Sequence, residues 1–257
     1  MKSSPIRTCA AASTVTLALS LAAAVAPSAL AGASTPSAQA QYEAALKSVG
    51  TEGVHFTSTA TQNGTTISVS GDTGETSGMQ QLTVHSGSTV EHVTALLVGP
   101  TGYLKANAAA LHRVIGLSNA QSSKYANRWL SFPTSNNGLA ELVNGLLNRQ
   151  ISGELQMSGP YRYGTPTTVN GIRALVIHGS EPVQSGGTVP TTLYVKASGT
   201  HLPIKEVTNP GTGGKSSAIR GSVTFSNWGE KTNEKAPASS VSLLKLVPPS
   251  SGSSTSG

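Results

Sequence analysis

The sequence predicts an α+β domain: a strongly curved antiparallel β-sheet, an incomplete barrel, with an N-terminal helix and an inserted helical lid. Three observations carry this. Short runs of alternating polar and apolar residues recur along most of the chain, and the turns between them are rich in glycine. Strand follows strand without crossover helices, which makes the pairing antiparallel. Between positions 107 and 148 the apolar spacing changes from two to three or four, the period of a helix.

The first 31 residues are set aside as a secretory signal peptide. Lys2 and Arg7 form a basic start, residues 15–25 are apolar, and Ala29-Leu30-Ala31 is a small-x-small cleavage site. The apolar run is shorter than the roughly 20 residues that a transmembrane helix needs. Cleavage after Ala31 leaves a flexible leader over residues 32–40, one domain over 41–238 and a mostly disordered Ser/Pro/Gly tail over 239–257. The only cysteine, Cys9, lies inside the signal and away from its cleavage site. The expected product is therefore secreted or in the cell envelope, is not lipid-anchored, and contains neither disulfides nor thiolate chemistry.

The mature elements follow in order. Tyr42, Ala45, Leu46 and Val49 have helical spacing. Val54, Phe56 and Ser58 then share one strand face, and Asn63-Gly64 turns the chain into Ile67 and Val69. Both central residues of a type I′ turn need positive φ, so Asn-Gly between alternating runs is a strong hairpin signal. Leu82-x-Val84 and residues 93–98 continue the meander. Asn107 is the expected N-cap of a first lid helix carrying Leu111, Val114 and Ile115. A second helical stretch covers residues 120–126, and residues 128–132 read as a strand stopped by Pro133. Leu139, Leu142, Val143, Leu146 and Leu147 form the stripe of a third helix. Strands are expected again from Ile151, with a second Asn-Gly turn at Asn170-Gly171. Residues 241–247 could add one short element.

Charge and motifs exclude more than they identify. The chain has 17 Lys and Arg against 11 Asp and Glu, but the basic residues are scattered singly and no aromatic-interleaved basic patch forms. Nucleic acid is not an expected partner. Gly214-Lys215-Ser216 lacks the first glycine of a phosphate loop, and Ser242-Leu243-Leu244-Lys245 lacks the partner motifs of penicillin-recognising enzymes. His85, Glu91 and His92 could meet across a hairpin, yet a further strong ligand with fixed spacing is missing. The sequence thus predicts no catalytic residue, no metal ligand and no cofactor. The helical stripes have two readings: they complete a core on the sheet, or they close an apolar cavity over it.

Several segments carry a family resemblance: Gly99-Pro100-Thr101-Gly102-Tyr103-Leu104-Lys105 before the insertion, Asn127-Arg128-Trp129-Leu130-Ser131-Phe132-Pro133 within it, and, near the end, Tyr194-Val195-Lys196, Gly199-Thr200-His201-Leu202-Pro203-Ile204 and Val223-Thr224-Phe225-Ser226-Asn227-Trp228-Gly229. In this order they resemble the actinobacterial lipoproteins of the LppX/LprG type, which are similar in fold to the LolA/LolB carriers. The resemblance implies a non-enzymatic lipid carrier, here without the lipidated cysteine of many relatives. It implies Phe56, Ile67, Val69, Leu82 and Val84 as cavity wall, and Leu111, Val114, Leu139, Leu142, Val143 and Leu146 as lid. The implied partners are a lipid or other apolar small molecule, with transient membrane or envelope-protein contact. The alternative is a ligand-sensing or protein-interaction module of the envelope with a filled core.

Overall fold

The computed structural model describes residues 36–50, 52–182, 187–209 and 220–246. The expected signal peptide, the Gly214-Lys215-Ser216 segment and the tail from residue 247 lie outside the described residues.

Helix α1 (Ala38–Val49) begins at Ser37, whose hydroxyl accepts the Ala40 N–H at 3.1 Å. A five-strand meander follows: β1 (Gly53–Gln62), β2 (Thr65–Thr73), β3 (Ser77–Ser86), β4 (Thr89–Val98) and β5 (Thr101–Ala106). Asn63 and Gly64 turn the first hairpin with φ of 50° and 75°, and Asn170 and Gly171 turn a later one with 50° and 78°. Both are the positive-φ pairs that Asn-Gly supplies at low steric cost. The insertion contains α2 (Ala108–Arg113), α3 (Asn119–Tyr125), β6 (Leu130–Pro133), α4 (Asn137–Ala140), a 3-10 turn (Glu141–Val143) and α5 (Asn148–Glu154). The chain then forms β7 (Ser158–Tyr163), β8 (Thr167–Val169), β9 (Ile172–Pro182), β10 (Thr188–Lys196), β11 (Pro203–Thr208), β12 (Arg220–Glu230) and the short β13 (Val241–Ser242).

These strands make one large, curved, unclosed sheet. Its order is β13-β6-β5-β4-β3-β2-β1-β12-β11-β10-β9-β7, with β8 paired to β9. Every pairing is antiparallel except the two-residue match of β13 with β6. The α+β class and the unclosed curved sheet expected from the sequence are thus present.

Asn107 caps α2 as expected, its Oδ1 accepting the Ala110 N–H at 3.0 Å. Its amide also donates to the Val90 carbonyl at 2.9 Å and so ties the lid to β4. Asn107→Ala removes both bonds and is expected to lower stability by about 1–2 kcal/mol in urea titrations. Asn107→Asp restores the cap acceptor and should recover part of that loss.

The third lid helix is not continuous, which corrects the sequence reading. Asn144 is extended at ψ 144° and Gly145 has φ 82°, so the stripe breaks into α4 with its 3-10 turn, a strap over residues 144–147, and α5. The strap finds its hydrogen bonds on the sheet instead of in a helix. Gly74 N–H donates to Leu146 O at 3.4 Å, and Asn148 N–H donates to Gly74 O at 3.0 Å. An apolar stripe is satisfied equally by a helix and by a strap that buries the same side chains. Strands accordingly resume at Ser158 and not at Ile151, which is buried on α5.

The core is in two parts. The first lies over β4, β5 and β6, where Leu104, Leu111, Leu130, Phe132 and Leu146 are fully buried. Leu243 and Leu246 close it, so the packed domain extends past the expected boundary at residue 238. The second lies over β1, β9, β10 and β12 and is covered by α1 and α5, with Val49, Ile177, Leu193 and Val195 inaccessible to solvent. Tyr42 pins α1 there. Its hydroxyl accepts the Met157 N–H at 2.7 Å and donates to Leu155 O at 3.0 Å, and burial is the main reason its pKa is pushed up to about 12.

Candidate ligand-binding face

Strand register decides which side chains share a surface, because the pleat alternates them between faces. Phe56 pairs with Gly71 and Phe225, Ser58 with Val69 and Val223, and Ala60 with Ile67 and Gly221. Val69 in turn faces Leu82, and Ile67 faces Val84. The five residues expected as wall, Phe56, Ile67, Val69, Leu82 and Val84, therefore lie on one inner face of the sheet. The same face carries both core clusters.

They do not all meet the same neighbours. Leu82 packs on the first cluster and Phe56 on the second, while Val84 is buried opposite Glu91. Ile67 and Val69 belong to neither cluster and are half-buried. Of the residues expected as lid, Leu111, Val143 and Leu146 are buried in the first cluster, and Leu139 and Leu142 pack against it. Val114 points outward and is 41% exposed. The lid thus completes one core at one end of the sheet. Between the clusters, Ser58 and Ala60 of β1 and Ile67 and Val69 of β2 form a half-buried floor.

From this floor a cleft of about 250 Å³ continues toward β9 and β11, lined by Ala60, Val189, Val223, Thr208 and three glutamates. Glu154 comes from α5, Glu181 from β9 and Glu206 from β11. Glu206 occupies an inward position, paired with Val223 and Leu193, and is only 8% exposed. Its Oε2 is buried without a hydrogen-bond partner. Burial first, then the charges of Glu181 and Glu154, pushes its pKa up to about 8. Glu181 is also raised by burial, partly offset by the Thr208 hydroxyl that donates to it at 3.4 Å. Glu154, which keeps solvent access, is raised by partial desolvation and then by Glu181.

With its pKa pushed up to about 8, Glu206 is mostly protonated at neutral pH, so the cleft offers both a donor and acceptors to the polar end of a ligand. The sequence reading missed these three residues, which only distant strand pairing brings together. A signal was present: in the alternation Ile204-x-Glu206-x-Thr208, a charge takes a core-facing position.

The His85, Glu91 and His92 combination does not form. Glu91 is on the inner face, where the Arg113 Nε lies 3.1 Å from its carboxylate. His85 and His92 point to the outer face, and His92 Nδ1 is 3.2 Å from the Thr83 hydroxyl. Adjacent residues on a strand cannot ligate one ion from opposite faces. Among the described residues no helix is long and apolar enough to cross a membrane.

An unclosed curved sheet with helices at both ends of one face defines the architectural class. The solved structures similar to this chain include LprF from Mycobacterium bovis, at 16% identity and a TM-score of 0.51, covering 79% of this chain and 97% of LprF. They also include the lipoprotein LppX from Mycobacterium tuberculosis, at 16% identity and a TM-score of 0.46, covering 76% of this chain and 97% of that one. An uncharacterized conserved protein from Thermus thermophilus aligns at 9% identity with a TM-score of 0.34, covering 83% and 95% of the two chains. At such identity the match to LprF establishes the fold alone. No protein-family model and no curated protein matches the sequence.

Proposed function

We propose that this protein is a non-enzymatic binder, and in the envelope a carrier, of an amphiphilic lipid-like molecule. The observation that carries the reading is the half-buried apolar strip of Ile67 and Val69, left between two closed cores and running into the glutamate-lined cleft. The chain of the ligand lies along the strip, and its polar end meets Glu206 and Glu181. Each buried methylene contributes about 0.8 kcal/mol, so ten of them supply roughly 8 kcal/mol before the costs of association. At about 250 Å³ the cleft lies below the roughly 300–1,000 Å³ usual for small-molecule sites, which suits one chain end or a head group better than a whole two-chain lipid. Secretion through residues 1–31 and work in the envelope or medium belong to the same reading. So do transient membrane contact and the absence of a nucleic-acid partner.

Native mass spectrometry of detergent-free protein, with organic extraction, tests it. The expected result is a stoichiometric lipid-like adduct, or uptake of one equivalent of a fluorescent fatty acid. Val69→Asp, placed on the half-buried floor and outside both cores, should abolish retention while circular dichroism stays unchanged. An empty protein that takes up no added fatty acid or phospholipid would favour an interaction module instead.

A further inference from the structure

We infer that the outer face of the sheet carries a divalent metal site of the zinc type, formed by His55, Asp72 and Glu230. This site is independent of the inner-face floor, since neighbouring positions on β1 project to opposite sides. His55 and Asp72 are direct cross-strand partners on β1 and β2, with Nδ1 and Oδ1 2.6 Å apart. Glu230 comes from β12 on the other side of β1. The register of β1 with β12 shifts between Gly53 and His55, and Gly229 has φ 88°. Such a bulge re-aims a side chain, and here it brings the Glu230 carboxylate to the pair, so that one ligand atom from each residue lies within 4.8 Å of the others.

The donor set fits the ion. Zinc takes histidine nitrogen and carboxylate oxygen at about 2.0–2.2 Å, which places neighbouring ligand atoms about 3–3.5 Å apart. Side-chain rotations of under about an ångström reach that spacing from the one present. Two carboxylates and a neutral imidazole match a 2+ charge, and the open outer side leaves the remaining position to water.

One further observation favours a cation at this position. Glu230 Oε1 is buried with no hydrogen-bond partner.

Isothermal titration of the tag-free chain with zinc chloride in a non-chelating buffer at pH 7.4 tests the site. One equivalent should bind at micromolar or tighter affinity and raise the melting temperature. Glu230→Gln and His55→Ala should each weaken binding at least tenfold in proteins whose circular dichroism is unchanged. The His85→Ala, His92→Ala double variant should bind as the wild type does. No stoichiometric zinc binding, undiminished binding in Glu230→Gln, or loss in the His85, His92 double variant would each overturn the proposal.

Discussion

A Glu206→Gln variant will lose much less stability than the wild-type protein as the pH rises from 5 to 9, a range over which the wild type will lose several degrees of melting temperature. The sign follows from linkage. The folded-state pKa of Glu206 is raised from the ordinary 4.5 to about 8 because the charged form is buried. Its favourable contribution is therefore complete below pH 4.5 and lost as the pH rises through 8. A shift of that size corresponds to roughly 3–5 kcal/mol, on a site 8% exposed. Glutamine has nearly the same shape, donates as the protonated acid does, and does not titrate. Glu154 and Glu181, also raised, should leave a shallower slope of the same sign in the variant. Thermal melts across the pH range decide the matter, and parallel curves for the two proteins would show that Glu206 is not the titrating group.

Gly78→Ala will destabilise the protein by about 1–3 kcal/mol, the range of a forced overpacking against backbone. A Cβ at this position would fall on the carbonyl oxygen of Leu146 and stand 2.8 Å from that of Asp72. Neither atom belongs to a flexible side chain, so the strap itself must lift. Lifting it withdraws Leu146 and Leu147 from the first core and breaks the bonds to Gly74. Gly153 supplies the control. It lies inside α5 with nothing near its missing Cβ, so Gly153→Ala should stabilise by about 0.5–1 kcal/mol. Urea titrations of the two variants should therefore move in opposite directions. Equal midpoints would show that the strap does not rest on β3.

These glycines also indicate which features could be read from the residues. Asn63-Gly64 and Asn170-Gly171 announced their hairpins, because the conformation they adopt is one that few other pairs tolerate. Period two put Phe56 and Ser58 on one strand face, whereas the grouping of Phe56, Ile67, Val69, Leu82 and Val84 came from the family resemblance and is matched by the strand register. The broken third helix was not legible: Gly145 stands among leucines at helical spacing, while the strap is seated by residues some seventy positions earlier, Gly78 by leaving room under Leu146 and Gly74 by backbone hydrogen bonds. The glutamate cluster was hidden for a similar reason. Glu154, Glu181 and Glu206 are separated by a helix-to-strand step and three hairpins, and nothing local requires them to converge. Where the periodicity misled, as at Val114, a short amphipathic helix exposed one residue of an apolar face that a longer helix would have covered.

The two cores are finished by opposite ends of the described chain. Helix α1, near its beginning, seals the core built from β9, β10 and β12, and the segment carrying Leu243 and Leu246, near its end, seals the core built from β4, β5 and β6. Strand β1 likewise waits for β12. A polypeptide delivered N-terminus first therefore cannot complete either half until nearly all of the described residues have emerged. The late elements act as latches, and a partly delivered chain stays open and threadable until the last of them closes.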